Sequence, residues 1–255
     1  MDPATTLALL ASLVAVAGLV VGSLADPLID RVAADGAVRP LTAGCPLCSA
    51  PLRGRLRLPL AWWAGSCPEC GGRLPARRLW VELLCGALFA AVTLRLGVSW
   101  AIPAFCALAA VCVPLVFIDL ATRRLPNTLT VGSYPWFAGL LVFGALLEGE
   151  WSRLLGAAVG ALALASAYLL LVVINPNGMG FGDAKLAVLL GGGLGWLGWQ
   201  TWLWGAVLPF LLMSAVGLAL IVAGRATLSS KIPFGPFMVA GTWAMILGGP
   251  LVGLT

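Results

Sequence analysis

The sequence contains no histidine and few charged residues, and each shortage excludes a class of protein. Without histidine the chain cannot be a Ser–His or Cys–His hydrolase, nor a metalloprotease with histidine ligands. Charged residues make up 10% of the chain, whereas a soluble domain carries roughly 25%. Because 61% of the residues are hydrophobic, the composition predicts an all-α polytopic membrane protein in the lipid bilayer.

The net charge of +5 could suggest a nucleic-acid partner, but the placement of the cations indicates a membrane topology instead. Eight Lys or Arg residues fall in the first polar loop, 31–78. Alternate loops after it hold five more, namely Arg123 and Arg124, then Lys185, then Arg225 and Lys231, so that 13 of the 15 cations lie in alternate loops. Only Arg95 and Arg153 lie in the other loops. Such asymmetry follows the positive-inside rule and predicts that the basic loops face the cytosol, with no nucleic-acid partner.

Apolar runs predict about eight transmembrane helices: 7–28, 79–94, 101–118, 131–147, 154–174, one from 186, one from 202, and 237–254. The run from 186 to 223 has 38 residues, which exceeds the length of one span of about 20 residues. We therefore expect it to divide at residues 198–201. No Lys or Arg precedes the first run, so it lacks the charged start of a signal peptide. We expect a retained helix, with both termini outside.

The cytosolic loop 31–78 carries two C-x2-C pairs, Cys45 with Cys48 and Cys67 with Cys70, separated by 18 residues. This spacing predicts a structural four-cysteine zinc site, because a reducing cytosol keeps the thiols available as ligands. A redox C-x-x-C motif or unbound thiols are the alternatives. The remaining cysteines lie in apolar sequence and are expected to pack in the core: Cys85, Cys106 and Cys112.

A glycine-rich stretch interrupts the apolar sequence before residue 186 and carries one carboxylate, Asp183. Gly178, Gly180 and Gly182 allow the backbone to bend and to approach other groups closely. This stretch does not match the pattern G-x-G-x-x-G and no predicted strand precedes it, so it does not indicate a phosphate-binding loop. A carboxylate at the membrane edge is costly and favours a functional role, whereas the structural alternative is that Asp183 only caps the next helix.

Asp119 is the other acidic residue at a comparable membrane edge. It could form an ion pair with Arg123 one turn later, or it could be functional. Two neighbouring carboxylates cannot both ionise, so the pair offers a general base and a general acid. A hydrolase without histidine is therefore expected to be an aspartic one. Two interpretations of Glu82 remain open: it could be a charge favoured at a helix N-terminus, or it could be part of a functional site.

Several stretches of the sequence together resemble the motifs of one known protein family. They are the 178–186 stretch with Asp183, the stretch 117–120 with 124–127 around Asp119, the paired C-x2-C loop, residues 78–84, residues 231–237, and Gly22-Ser23 with Arg31. Over nearly the whole chain, the sequence resembles the type IV prepilin peptidases, which are membrane aspartic proteases of the GxGD class.

The resemblance implies cleavage of the basic leader of type IV prepilins or pseudopilins, after a glycine, at the cytosolic face of the bacterial inner membrane. It implies that Asp119 and Asp183 are the catalytic pair. The residues expected to position the loop or the substrate are Gly178, Gly180, Gly182 and Lys185. It also implies methylation of the new N-terminus with S-adenosylmethionine. The expected division is a first helix, 1–30, a zinc loop, 31–78, and a protease core, 79–255.

Two other classes of function remain open at this point. A transporter or channel could use the two carboxylates as a proton or cation site, although such residues are expected near the membrane midplane. A non-catalytic assembly protein could dock partners on its zinc loop. Replacing either aspartate by asparagine distinguishes these possibilities from a protease.

Overall fold

The computed structural model describes residues 2–35, 70, 77–175, 179–225, 227 and 232–250. Within these residues all regular structure is helical, and a short 3-10 turn, Val131–Ser133, joins the fourth helix to the fifth. The helices are α1 Pro3–Asp35, α2 Arg77–Leu96, α3 Ile102–Thr122, α4 Asn127–Thr130, α5 Tyr134–Glu148, α6 Trp151–Ile174, α7 Phe181–Leu197, α8 Trp199–Val222 and α9 Gly235–Gly248.

Six helical segments in this part of the chain are long and apolar enough to cross a membrane. They are Pro3–Asp26 of α1, then α2, α3, Asn127–Glu148, α6 and α8. The predicted polytopic, helical membrane protein is therefore confirmed. The predicted sixth and eighth spans coincide with α7 and α9, which have 17 and 14 residues. Because these two helices are shorter, eight spans remain a prediction.

The chain forms two compact units, up to Ile118 and from Asp119 onwards. In the first unit, glycines on α1 allow α2 to approach closely. A Cβ on Gly18 would lie 2.7 Å from the carbonyl oxygen of Cys85, and one on Gly22 would lie 2.7 Å from the Cα of Glu82. Cys85, Cys106 and Cys112 are buried, in agreement with their predicted role in packing.

The first unit also holds charged side chains in pairs, of which Asp26, Arg78 and Glu82 are buried and Arg77 is partly buried. Arg77 binds Asp26 at 3.1 Å between Nη2 and Oδ1, and Arg78 binds Glu82 at 2.8 Å between Nε and Oε1. Buried charges are tolerated when paired and hydrogen-bonded. Glu82 is thus half of a buried ion pair, an arrangement that its position in the sequence did not indicate.

In the second unit, α6 and α7 touch through their backbones. A Cβ on Gly160 would lie 2.6 Å from the carbonyl oxygen of Gly191, and a Cβ on Gly156 would lie 2.7 Å from that of Gly195. Gly156 and Gly160 are four residues apart, a spacing that predicts close contact between membrane helices, and the structure shows this contact. The indole nitrogen of Trp202 on α8 donates to the Gly160 carbonyl at 3.0 Å, which ties a third helix to the pair.

Gly198 separates α7 from α8 with a φ of 117°, a conformation that glycine adopts without strain. The 38-residue apolar run therefore divides within the predicted 198–201 segment. Helix α9 then runs back along α8, because Thr201 Oγ1 donates to the Pro250 carbonyl at 2.8 Å and a Cβ on Gly241 would lie 2.8 Å from Pro209 Cδ. This return places the start of α9 beside Asp119, because the N–H of Gly235 donates to the Asp119 carboxylate.

Candidate active site

Asp119 lies in the last turn of α3, 6% exposed. The helix ends at Thr122, and Arg123 takes a left-handed φ of 53° that is uncommon for a non-glycine residue. Asp119 and Arg123 are both among the described residues, and the alternative i,i+4 ion pair does not form between them. The Asp119 carboxylate accepts a backbone hydrogen bond instead, from the N–H of Gly235 at 3.1 Å.

Asp183 lies in the first turn of α7, 8% exposed. The N–H of Gly180 donates to its Oδ2 at 3.2 Å, and the N–H of Asp183 donates to the Gly180 carbonyl at 3.1 Å. These two bonds close the start of α7, so Asp183 does cap this helix, as the structural alternative proposed. The capping bond uses one carboxylate oxygen and leaves the side chain at the wall of a cavity.

Both aspartates line one cavity of about 460 Å³ in the second unit. This volume is in the range of small-ligand and peptide sites. Its apolar wall is formed by five residues: Leu125, Phe181, Ile232, Pro233 and Phe234. Three cationic side chains also line it: Arg123, Arg124 and Lys185. The two carboxylates therefore share a space whose lining offers both apolar contact and positive charge.

Burial and, to a lesser extent, the nearby charge of Asp119 together raise the pKa of Asp183 to about 6, although the hydrogen bond from Gly180 acts to lower it. Asp183 precedes residue 186 and lies outside the six candidate spans. Burial disfavours the charged form of Asp183, and a second carboxylate at the same site disfavours it further. The pair can therefore hold a single proton near neutral pH, as acid–base catalysis by a carboxylate pair requires.

The glycine loop fits closely against the segment that follows α3. A Cβ on Gly182 would lie 3.0 Å from the Cβ of Leu125 and would need that side chain to shift. Gly180 is at the N-cap position of α7, and its N–H is the group that donates to the Asp183 carboxylate. The prediction for Gly178 falls outside the described residues.

Lys185 joins the same two segments through polar contacts. Its Nζ donates to Asn127 Oδ1 at 2.7 Å and lies 5.3 Å from the centre of the Phe181 ring. The hydroxyl of Tyr134 donates to the Lys185 carbonyl at 2.6 Å. Lys185 therefore lines the cavity and joins the first turn of α7 to the segment 127–134.

Sequence reasoning gave no role to the stretch that precedes α9. The structure places Ile232, Pro233 and Phe234 in the cavity wall and the Gly235 amide on Asp119. The signal was present, because the family-like stretch 231–237 has two prolines that flank Phe-Gly. Of the predicted zinc ligands, Cys45, Cys48 and Cys67 fall outside the described residues, and Cys70 is exposed.

A helical membrane protein that presents two buried carboxylates to one cavity has the form of a two-aspartate membrane peptidase. The model of the type IV leader peptidase family matches residues 106–224, which contain both aspartates. The model of the bacterial peptidase A24 N-terminal domain matches residues 16–96, which contain all four C-x2-C cysteines. The chain belongs to the type IV leader peptidase family, as the resemblance predicted.

The sequence is also similar to those of curated relatives over most of its length. A prepilin leader peptidase/N-methyltransferase of Aeromonas hydrophila is 36% identical over 212 residues, covering 80% of this chain and 71% of the relative. Proteins of the same name from Stutzerimonas stutzeri and Neisseria gonorrhoeae are 32% and 30% identical, and the match covers 71% and 88% of them. No solved structure matches the chain.

Proposed function

We propose that this protein removes the basic leader of type IV prepilins or pseudopilins, cutting after a glycine with Asp119 and Asp183 as the catalytic pair. The enzyme class is that of its family and of the relatives named above. The observation that supports the catalytic assignment is the shared cavity, which both carboxylates line beside an apolar wall.

In the proposed reaction the ionised Asp119 accepts a proton from a water molecule as the water oxygen bonds to the scissile carbonyl carbon. Asp183, with its raised pKa, donates its proton to the carbonyl oxygen. When the tetrahedral intermediate collapses, Asp119 passes its proton to the leaving amine and Asp183 recovers one from a hydroxyl of the intermediate. Both carboxyl groups then return to their starting protonation states.

The second proposed activity is methylation of the newly exposed amine, with S-adenosylmethionine as the methyl donor. Its support is the name that the relatives carry together with the family resemblance. A zinc ion held by Cys45, Cys48, Cys67 and Cys70 would cross-link the loop 31–78, and the spacing of these cysteines supports this proposal.

The charge pattern supports a further proposal, on topology. Eight spans in the bacterial inner membrane would place the N-terminus outside and the basic loops in the cytosol. Asp119 lies in the last turn of α3 and Asp183 in the first turn of α7, so under this topology both lie at the cytosolic face. A transporter site near the midplane does not fit this placement.

The decisive experiment replaces each aspartate by asparagine and co-expresses a prepilin substrate. We expect Asp119→Asn and Asp183→Asn each to lower cleavage by at least about 100-fold, because acid–base catalysis contributes on this order. Asp2→Asn, at an exposed acidic residue near the N-terminus, is the control and should cleave normally. Mass spectrometry and N-terminal sequencing of the prepilin provide the measurement.

The two classes of outcome are distinct. Accumulation of uncleaved prepilin, with normal membrane insertion of both variants, supports a protease. Normal processing in either variant rules out the two-aspartate mechanism, and processing that does not depend on this protein at all would indicate a transporter or an assembly protein.

A further inference from the structure

The stretch that leads into α9 reaches Asp119 through its main chain. The N–H of Gly235 donates to Asp119 Oδ2 at 3.1 Å, and both residues are buried. A Cβ on Gly235 would lie 2.6 Å from the same oxygen and 3.2 Å from Asp119 Cγ. Carbon atoms do not approach a carboxylate this closely, so a side chain at position 235 would displace the carboxylate.

This hydrogen bond also starts a helix. Helix α9 begins at Gly235 and has no side-chain cap from its own N-cap residue, Phe234. The first N–H groups of a helix require an acceptor, and a carboxylate is favoured at that positive end of the helix dipole. Asp119, 116 residues earlier in the sequence, provides that acceptor. The start of α9 and the position of the Asp119 carboxylate therefore depend on each other.

Packing of Phe234 holds the other side of this stretch in place. Phe234 is 9% exposed, and its ring centre lies 5.1 Å from that of Phe210 on α8 and 6.1 Å from that of Tyr168 on α6. Tilted aromatic pairs at these distances are stabilising. The ring is thus fixed between two helices while the next amide holds Asp119.

We propose that Gly235 is a positioning residue for cleavage, and that residues 232–235 are a third element of the active site beside α3 and α7. Its amide orients the Asp119 carboxylate toward the cavity, and its missing Cβ leaves room for that carboxylate. This inference rests on the proposed catalytic role of Asp119.

The test compares three glycine-to-alanine variants on one helix. Gly235→Ala should lower kcat for cleavage of a prepilin peptide by about 100-fold, because misplacing a reacting group by about 1 Å has that cost. KM should stay within about twofold, since substrate contacts elsewhere are retained. Gly248→Ala has no atom within 4 Å of its Cβ, and Gly241→Ala crowds Pro209 at 2.8 Å without touching Asp119.

Gly248→Ala should match the wild type, and Gly241→Ala should lower Tm more than kcat. An unchanged kcat in Gly235→Ala, or an equal loss of kcat in Gly241→Ala, overturns the proposal. If Asp119→Asn cleaves normally, the proposed function itself fails. If Asp119→Asn is inactive while Gly235→Ala is normal, only the positioning role fails.

A second measurement does not require the Gly235 variant to fold. Because Asp119 caps α9, Asp119→Ala should speed hydrogen exchange in the first turn of this helix, whereas Asp183→Ala should leave that turn unchanged. Mass spectrometry of peptides covering residues 232–240 reports this difference. Equal exchange rates in the two variants contradict the coupling between Asp119 and Gly235.

Discussion

At the scale of single residues, Asp183 combines a structural and a chemical role. It closes the first turn of α7 through Gly180 and lines the cavity with Asp119. Capping and function were alternatives in the sequence, but the two are compatible because a carboxylate has two oxygens and several lone pairs. A cap that fixes the side chain also pre-organises it, as a catalytic group requires.

The raised pKa of Asp183 predicts a pH-dependent cost in stability. A folded-state pKa of about 6 lies above the ordinary value of 3.8. The stability that the protonated group provides is therefore complete below pH 3.8 and is lost as the pH rises through 6. Asp183→Asn keeps the shape and an acceptor for the Gly180 amide but cannot ionise.

We therefore expect Asp183→Asn to be more stable than the wild type at pH 8, by on the order of 2–3 kcal/mol, and similar to it at pH 4. Thermal unfolding in detergent at the two pH values measures this. Glu148→Gln, at a carboxylate outside the cavity, is the control. A stability gain that is the same at pH 4 and pH 8 would show that ionisation of Asp183 is not its cause.

At the scale of helices, the contact between α6 and α7 sets the position of Asp183, because Asp183 lies in the first turn of α7. Glycines on both helices remove the side chains that would keep the backbones apart. Close approach of this kind drives helix association in membranes, where lipid is as apolar as leucine. The sequence predicted the α6 side of this contact from its spacing, but the partner glycines were hidden within a run of glycines at 191–193 and 195.

Gly160→Ala tests this contact against Gly139→Ala. At Gly160 the new Cβ would meet the Gly191 carbonyl at 2.6 Å, whereas Gly139 on α5 has no atom within 4 Å. Overpacking of a fitted contact costs about 1–3 kcal/mol, so Gly160→Ala should lower Tm. Gly139→Ala should hold or raise Tm because alanine favours a helix. Equal Tm values for the two variants would contradict a close-packed α6–α7 interface.

At the scale of the whole molecule, the sequence predicted the helical membrane class, the break at Gly198 and the family. These follow from hydropathy, from glycine positions and from motifs that are local in sequence. It did not predict the bond from Gly235 to Asp119 or the pair between Arg77 and Asp26, which join residues 116 and 51 positions apart. Periodicity in the sequence carries no information about such long-range pairs. Buried polar groups need hydrogen-bond partners, and the tertiary fold determines which groups are brought together.

The zinc prediction also belongs to the whole molecule, because it concerns how the loop 31–78 folds between two membrane helices. A loop without a core of its own gains its folding free energy from the metal. Purified protein should contain about one zinc ion per chain, and Cys45→Ser or Cys67→Ser should release it.

Cys106→Ser, at a buried cysteine on α3, should retain the metal and serves as the matched control. Absence of metal in the wild type, or equal zinc content in all variants, would rule out a four-cysteine site. If zinc is lost while cleavage persists, the metal is not required for cleavage, which is consistent with aspartates that lie outside the loop, on α3 and α7.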